Sequence, residues 1–198
     1  MSNELFVAFV AFAVATLFTP GPNNVMLMTS GVNYGFRRTL PHVLGVDAGF
    51  GFMVAVVGVG LGAIFAAVPL LYTVLKFVAV AYLLYLAWKI ATAGAVKEAS
   101  GGRPFSFLQA AAFQWVNPKG WIMAIGAVTT YAAIAAFPFN VLLMVIVFVG
   151  FGLISSFTWL LFGTGLRRVV TEPKSVRIFN ISMAVLLVAS LVPVLFEG

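Results

Sequence analysis

The amino-acid sequence predicts an all-α integral membrane protein whose six transmembrane helices form two inverted three-helix repeats, with helices 1 and 4 broken near the midplane. Three observations carry this expectation. The first is composition: of 198 residues, 63% are hydrophobic and 8% charged, with a mean hydropathy of +1.12. A water-soluble domain has about 25% charged residues and about half apolar ones, so this chain lacks the polar surface to cover a globule in water. The second is run length, because crossing the hydrocarbon core takes about 20 mostly apolar residues per helix, whereas membrane strands show period-two alternation in pieces of about 10. The third is a pair of Pro/Gly interruptions at corresponding places in two of the runs.

The runs are read as spans 5–32, 40–66, 69–89, 105–134, 139–163 and 178–196 of one transmembrane domain covering 1–198. Repeat 1 is 5–89 and repeat 2 is 105–196, joined by a loop over 90–104. Met1, Ser2, Asn3 and Glu4 precede the first run without the basic segment a signal peptide needs, so that run is expected to be retained as a span. Basic residues orient the set. Arg37 and Arg38 follow the first span, Lys89, Lys97 and Arg103 flank the third loop, and Arg167, Arg168, Lys174 and Arg177 flank the fifth. Nine of the 11 Lys and Arg residues thus alternate onto one side. Lysine and arginine in short loops mark the cytoplasmic face, so both termini are expected outside. The net charge of +6 belongs to these membrane edges rather than to a continuous basic face, and nucleic acid is not an expected partner.

The interruptions are Thr19-Pro20-Gly21-Pro22-Asn23-Asn24 in span 1 and Val116-Asn117-Pro118-Lys119-Gly120 in span 4. Proline inside a helix removes a backbone donor and clashes with the preceding turn, while Asn before Pro resembles a new start, an N-cap followed by N1. Each span is therefore expected as two half-helices, broken about 16 and about 14 residues in, which at about 1.5 Å per residue puts both breaks near the midplane. Three spans separate them, so the second half crosses in the opposite sense. Interrupted spans at matching positions of inverted halves point to a transporter's central site, because irregular backbone in a membrane is buried in protein or lines a cavity. Half-helix N-termini at Thr19, Asn23 or Asn24, and at Asn117, would direct free N–H groups there, and with Lys119 they suit a carboxylate.

These same residues resemble the LysE/RhtB family of amino-acid exporters. The resemblance runs over most of the chain: Thr19 to Asn24, Gly31 to Arg38, Gly45 and Gly49, Lys76 to Lys89 with Tyr82-Leu83 and Tyr85-Leu86, and Asn117-Pro118-Lys119. Ala79 and Ala87 stand where the family often has glycine. Many relatives carry an acid just after the second glycine of span 2, where this chain has Phe50 and its acid is Asp47. The resemblance implies efflux of small amino acids or their derivatives across the bacterial cytoplasmic membrane, driven by the proton gradient.

Other residues admit two readings. Asp47 is read as an intramembrane proton-coupling carboxylate or ammonium ligand, or as an interfacial partner of Arg37 and Arg38, since 48–68 alone is long enough to span. Lys119 is assigned to substrate or Asp47 contact, with carbonyl pairing as the alternative, and Lys76 to snorkelling. His42 is expected to cap or sit at the interface rather than relay protons. Gly45 and Gly49, and Gly58 and Gly62, have the spacing of close helix packing. Trp115 and Trp121 flank the second break, where either could line a cavity.

The expected substrate-binding set is Thr19, Pro20, Gly21, Pro22, Asn23, Asn24, Asn117, Pro118 and Lys119, with Asp47 for ion coupling. A single intramembrane acid favours a substrate with a neutral side chain over a dibasic one. The expected partners are an amino-acid substrate, protons and the lipid bilayer, with a homo-oligomer left open and no cofactor or metal. Zero cysteines and one histidine offer little for an intramembrane enzyme. A channel is the closer alternative, since broken helices also line pores.

Overall fold

The computed structural model describes residues 3–61, 67, 69–92 and 102–192. Eight α-helices account for most of them: α1 (Asn3–Phe18), α2 (Pro22–Tyr34), α3 (Phe36–Val56), α4 (Pro69–Ala91), α5 (Phe107–Phe113), α6 (Pro118–Thr130), α7 (Phe139–Leu166) and α8 (Pro173–Ala189). A π-helical turn, Val57–Leu61, continues α3, and 3₁₀ turns at Gln114–Val116 and Ala132–Ile134 flank α6. Helix α3 with its π turn, α4 and α7 are each long and apolar enough to cross a bilayer, and α1 with α2, bent by 47°, makes a fourth candidate.

The surface is inside out relative to a protein in water. Phe52, Phe77, Leu108, Ile154 and Leu161 are exposed, whereas Asn24, Asn33, Asp47, Gln114, Asn117 and Asn180 are buried. Hydrocarbon is the solvent that makes such a distribution favourable, because polar groups must then find partners inside the protein. Three buried apolar clusters fill the interior, the smallest formed by Leu27, Val43 and Leu160. Of the larger two, one gathers Phe9, Phe50, Met53, Trp121, Ala124 and Phe148, and the other Val25, Met28, Leu83, Phe113, Ala184 and Leu187.

Glycine sets the closest helix approaches. A Cβ on Gly49 would lie 2.5 Å from Ala111 Cα and 2.8 Å from its carbonyl oxygen, so α3 and α5 meet backbone to backbone. Gly45 does the same against Phe107, and Gly31 and Gly163 bring α2 and α7 together. The expected packing role of Gly45 and Gly49 is what the structure shows, and Gly58 rests on Val141. Helix α3 also packs on α7, and α4 on α8.

Several boundaries differ from expectation. The second span starts at Phe36 rather than residue 40, because Gly35, at φ +79°, ends α2 and opens α3 in a single residue. That positive φ suits glycine. Pro41 lies inside α3, where the carbonyl it leaves unpaired is in the exposed turn of Arg37. His42 lies inside α3 rather than at its start, so it does not cap the helix; it is 1% exposed, with Nδ1 3.2 Å from the Ser30 hydroxyl and its ring on Phe105. The last helix begins at Pro173 rather than 178. Lys97, Gly62, the end of span 2 over 62–66, the termini at 1–2 and the predicted end of span 6 over 193–196 lie outside the described residues.

Candidate functional site

Both interruptions form as half-helix pairs. In the first, Gly21 occupies the N-cap position in extended conformation and Pro22 is N1. In the second, a 3₁₀ turn leads to Asn117 at the N-cap position, with Pro118 at N1. The N1 proline is favourable because its missing N–H would have no intrahelical acceptor in any case. The helical ladders resume with Val25 N–H to Gly21 and Trp121 N–H to Asn117. The N–H groups of Asn23, Asn24, Lys119 and Gly120 precede those rungs and so have no intrahelical acceptor.

The capping roles expected of Asn23 and Asn24 are corrected. Neither caps α2, because the helix has already begun at Pro22 and their side chains reach outward. Asn24 Nδ2 donates to the carbonyls of Leu17 and Thr19, both at 2.9 Å. Asn23 exchanges two hydrogen bonds with Gln114, at 2.9 and 3.1 Å. Asn117 keeps its N-cap backbone position, yet its side chain makes no cap bond.

The carbonyl end of α1 is where the two halves of the chain meet. Its last carbonyls lack intrahelical donors, and groups from three other helices supply them. Asn24 comes from α2, Ser155 of α7 donates to Leu17 at 2.8 Å, and Lys119 of α6 donates to Thr19 at 2.6 Å. A cation beside a helix C-terminus also favours the helix dipole. Thus Lys119, next to the second break, is tied directly to the first. Gly21 makes room for it, since a Cβ there would lie 2.7 Å from Lys119 Cδ.

A cavity opens at this junction, lined by Thr16, Leu17, Gly21, Pro22, Asn23, Asn24, Phe50, Asn117, Lys119, Gly120 and Met123. Centres of water-sized spheres fill about 40 Å³ of it, and one water needs roughly 10–15 Å³, so it takes about three waters or the head of a small ligand. Six predicted residues line it: Gly21, Pro22, Asn23, Asn24, Asn117 and Lys119. Thr19, Pro20 and Pro118 are not among the lining residues; Thr19 contributes its carbonyl to Lys119 and turns its hydroxyl back to Ala15. Trp115 and Trp121 lie outside the lining and pack edge to face, with Trp121 Nε1 donating to the Trp115 carbonyl.

Asp47 is 5% exposed, so its carboxyl group is enclosed by protein. Ser156 of α7 lies beside its carboxyl group, and its Oδ2 has no partner. A Cβ on Gly152 would come 2.5 Å from Asp47 Oδ1 and 3.9 Å from Leu17 Cδ2. The carboxyl therefore sits behind Leu17, one side chain from the cavity. Gln114, Ser155 and Ser156 escape a motif search. Their available signal is a polar side chain within an otherwise apolar run, where each must be paired inside the protein. Among the described residues no cluster of three or more His, Cys, Asp or Glu side chains could hold a metal ion.

An apolar exterior, buried polar groups and two interrupted helices enclosing a small cavity define a helical membrane protein of the transporter class. A family model described as LysE type translocator matches residues 14–195, and the chain belongs to that family. A cysteine/O-acetylserine efflux protein of Salmonella typhimurium (strain LT2) is 33% identical over 132 residues, 66% of this chain and 67% of its own. The protein of the same description from Escherichia coli (strain K12) is 32% identical over the same shares. No solved structure matches the chain.

Proposed function

We propose that the protein exports small neutral amino acids or their derivatives, of the cysteine and O-acetylserine class, from the bacterial cytoplasm in exchange for protons. The observation that carries this reading is the hydrogen bond from Lys119 to Thr19, which joins the two helix breaks at one cavity. The substrate carboxylate lies at the N–H ends of α2 and α6 beside the Lys119 ammonium, where helix dipole and charge-assisted donors act together. As it arrives, it competes with the Thr19 carbonyl for that ammonium. The substrate ammonium lies in the same cavity, among amide and carbonyl oxygens. The cavity's size suits a short side chain, and no carboxylate among its lining residues would meet a second positive charge.

Asp47 is the coupling group of this proposal. Its protonation from outside changes the contacts of α3 with Ser156 and Gly152 of α7, next to Leu17 and the cavity. Exchange requires that proton and substrate favour different states of the protein.

The proposed scaffold is six spans in two inverted repeats, with both termini outside. Helix packing supports it. Taken span by span, pairing α1–α2 with α5–α6, α3 with α7 and α4 with α8 preserves the main packing: the broken span α1–α2 lies on α7 as α5–α6 lies on α3, through its second half in the first case and its first half in the other, while α3–α7 and α4–α8 are each self-paired. Arg167 lies against Gly35, so the basic residues that follow α2 and α7 share one end.

The test is counterflow in proteoliposomes with labelled amino acids. Saturable exchange of small neutral amino acids, and not of lysine, is expected. Flux that rises without saturation would identify a channel, and absence of exchange would overturn the reading.

A further inference from the structure

The amide chain between the two breaks has a fixed polarity, and this bears on how the cavity would read the nitrogen end of a ligand. Gln114 is fully buried, at 0% exposure, one turn before Asn117. Its Nε2 donates to the Ala110 carbonyl at 2.9 Å. A backbone carbonyl only accepts, so this bond fixes which end of the Gln114 amide is nitrogen. The second Nε2 hydrogen then goes to Asn23 Oδ1 at 3.1 Å, and Gln114 Oε1 accepts from Asn23 Nδ2 at 2.9 Å. The remaining capacity of Oε1 is taken by Asn117 Nδ2, at 3.4 Å. One carbonyl of α5 thereby orients three side-chain amides in sequence. At the end of the chain, Asn117 Oδ1 is left buried and without a hydrogen-bond partner, on a residue that lines the cavity. A buried acceptor left unpaired is costly, and a ligand that donates to it removes the cost.

Resting on the exporter reading above, we propose that Asn117 Oδ1 accepts the substrate ammonium as the ligand enters and that Gln114 is the positioning residue that leaves this oxygen, rather than the amide nitrogen, unpaired for the ligand. The cavity then reads both ends of a zwitterion: Lys119 takes the carboxylate, and Asn117 requires a donor where the ammonium lies. A carboxylate ligand without that donor leaves Oδ1 unpaired. The same polarity disfavours an acceptor in its place, because two oxygens would face each other.

The experiment measures binding of cysteine, 3-mercaptopropionate, which lacks the amino group, and cysteamine, which lacks the carboxyl group, to the purified full-length protein in detergent. The readout is the preference for cysteine over 3-mercaptopropionate. In the wild type it should be roughly tenfold to hundredfold, the effect of one charge-assisted hydrogen bond. Asn117→Leu should abolish this preference by weakening cysteine and cysteamine while leaving 3-mercaptopropionate unchanged. Gln114→Met, which frees the Asn117 amide to turn, should reduce it in the same way. Asn117→Asp keeps an acceptor for the ammonium and should retain the preference, which a merely structural role would not produce. Asn117 makes no side-chain cap bond, so its substitution is compatible with folding; should the leucine variant not fold, Asn117→Ala makes the same comparison. Equal losses for cysteine and 3-mercaptopropionate, or an unchanged preference in Asn117→Leu, would overturn the proposal while leaving the exporter reading intact. A wild-type protein that binds none of the three would overturn both.

Discussion

Replacing Lys119 by methionine separates a substrate contact from a structural tie. The ammonium donates to the Thr19 carbonyl at 2.6 Å, but that carbonyl also accepts from Asn24 at 2.9 Å. Its loss therefore leaves no orphaned acceptor, and methionine keeps most of the stem that fills the space beside Gly21. The cost to folding should be at most about 1.5–3 kcal/mol, that of a hydrogen bond from a charged donor. The cost to a carboxylate ligand should be of the same size, about 1.5–3 kcal/mol, equivalent to about a tenfold to hundredfold rise in Kd. Calorimetric titration of the purified variant with cysteine and with cysteamine provides the comparison. Cysteine should weaken by that factor and cysteamine should change little. Gly21→Ala displaces the same ammonium, since the new methyl lies 3.1 Å from Nζ, and it should weaken cysteine in the same direction by less. Equal losses for cysteine and cysteamine would refute the assignment of Lys119 to the carboxylate and leave it as packing between the two breaks.

Asp47→Asn preserves shape and the contact with Ser156, and it should abolish export driven by a pH gradient while leaving counterflow in place; gradient-driven export at the wild-type rate would exclude Asp47 from coupling. Gly49→Val forces methyl groups into the Ala111 backbone, which cannot yield as a side chain would, so it should destabilise the protein by about 1–3 kcal/mol or more and lower its melting temperature in detergent. Single cysteines at Ser2 and Gly198 should react with an impermeant thiol reagent from outside intact cells, and one at Ser100 should be protected. Reversed accessibility would refute the proposed orientation.

The two breaks are legible because proline and glycine act locally: Pro22 and Pro118 each start a helix at N1, and this needs no tertiary information. What the side chains around them do is a different matter. Asn23 and Asn24 have the composition of caps, yet Gly21 fills the N-cap place because the Pro22 ring fixes the first helical residue before either Asn is reached. Gln114 pairs with Asn23 across 91 positions and Asn33 with Asn180 across 147. Such pairings are set by how helices pack, which periodicity does not encode. Asp47 could be read as edge or interior because hydropathy measures length, not depth. Its burial follows from Gly152, whose missing side chain leaves room for the carboxyl on α7. His42 could be read as a cap because the helix was expected to start at 40; with the start at Phe36 it lies inside the helix, buried in protein.

The account's central claim is that the cavity between the breaks holds the transported amino acid. The chain contains no cysteine, so Met123→Cys places a single thiol in the cavity wall. Its rate of modification by a small maleimide, measured in proteoliposomes that retain counterflow, tests the claim directly. O-acetylserine should slow the reaction with a concentration dependence matching its counterflow, while 2-aminoethyl acetate, its analogue without the carboxyl group, should protect far less. Identical modification rates with and without O-acetylserine, in protein that still exchanges it, would contradict the claim and place the transported molecule elsewhere.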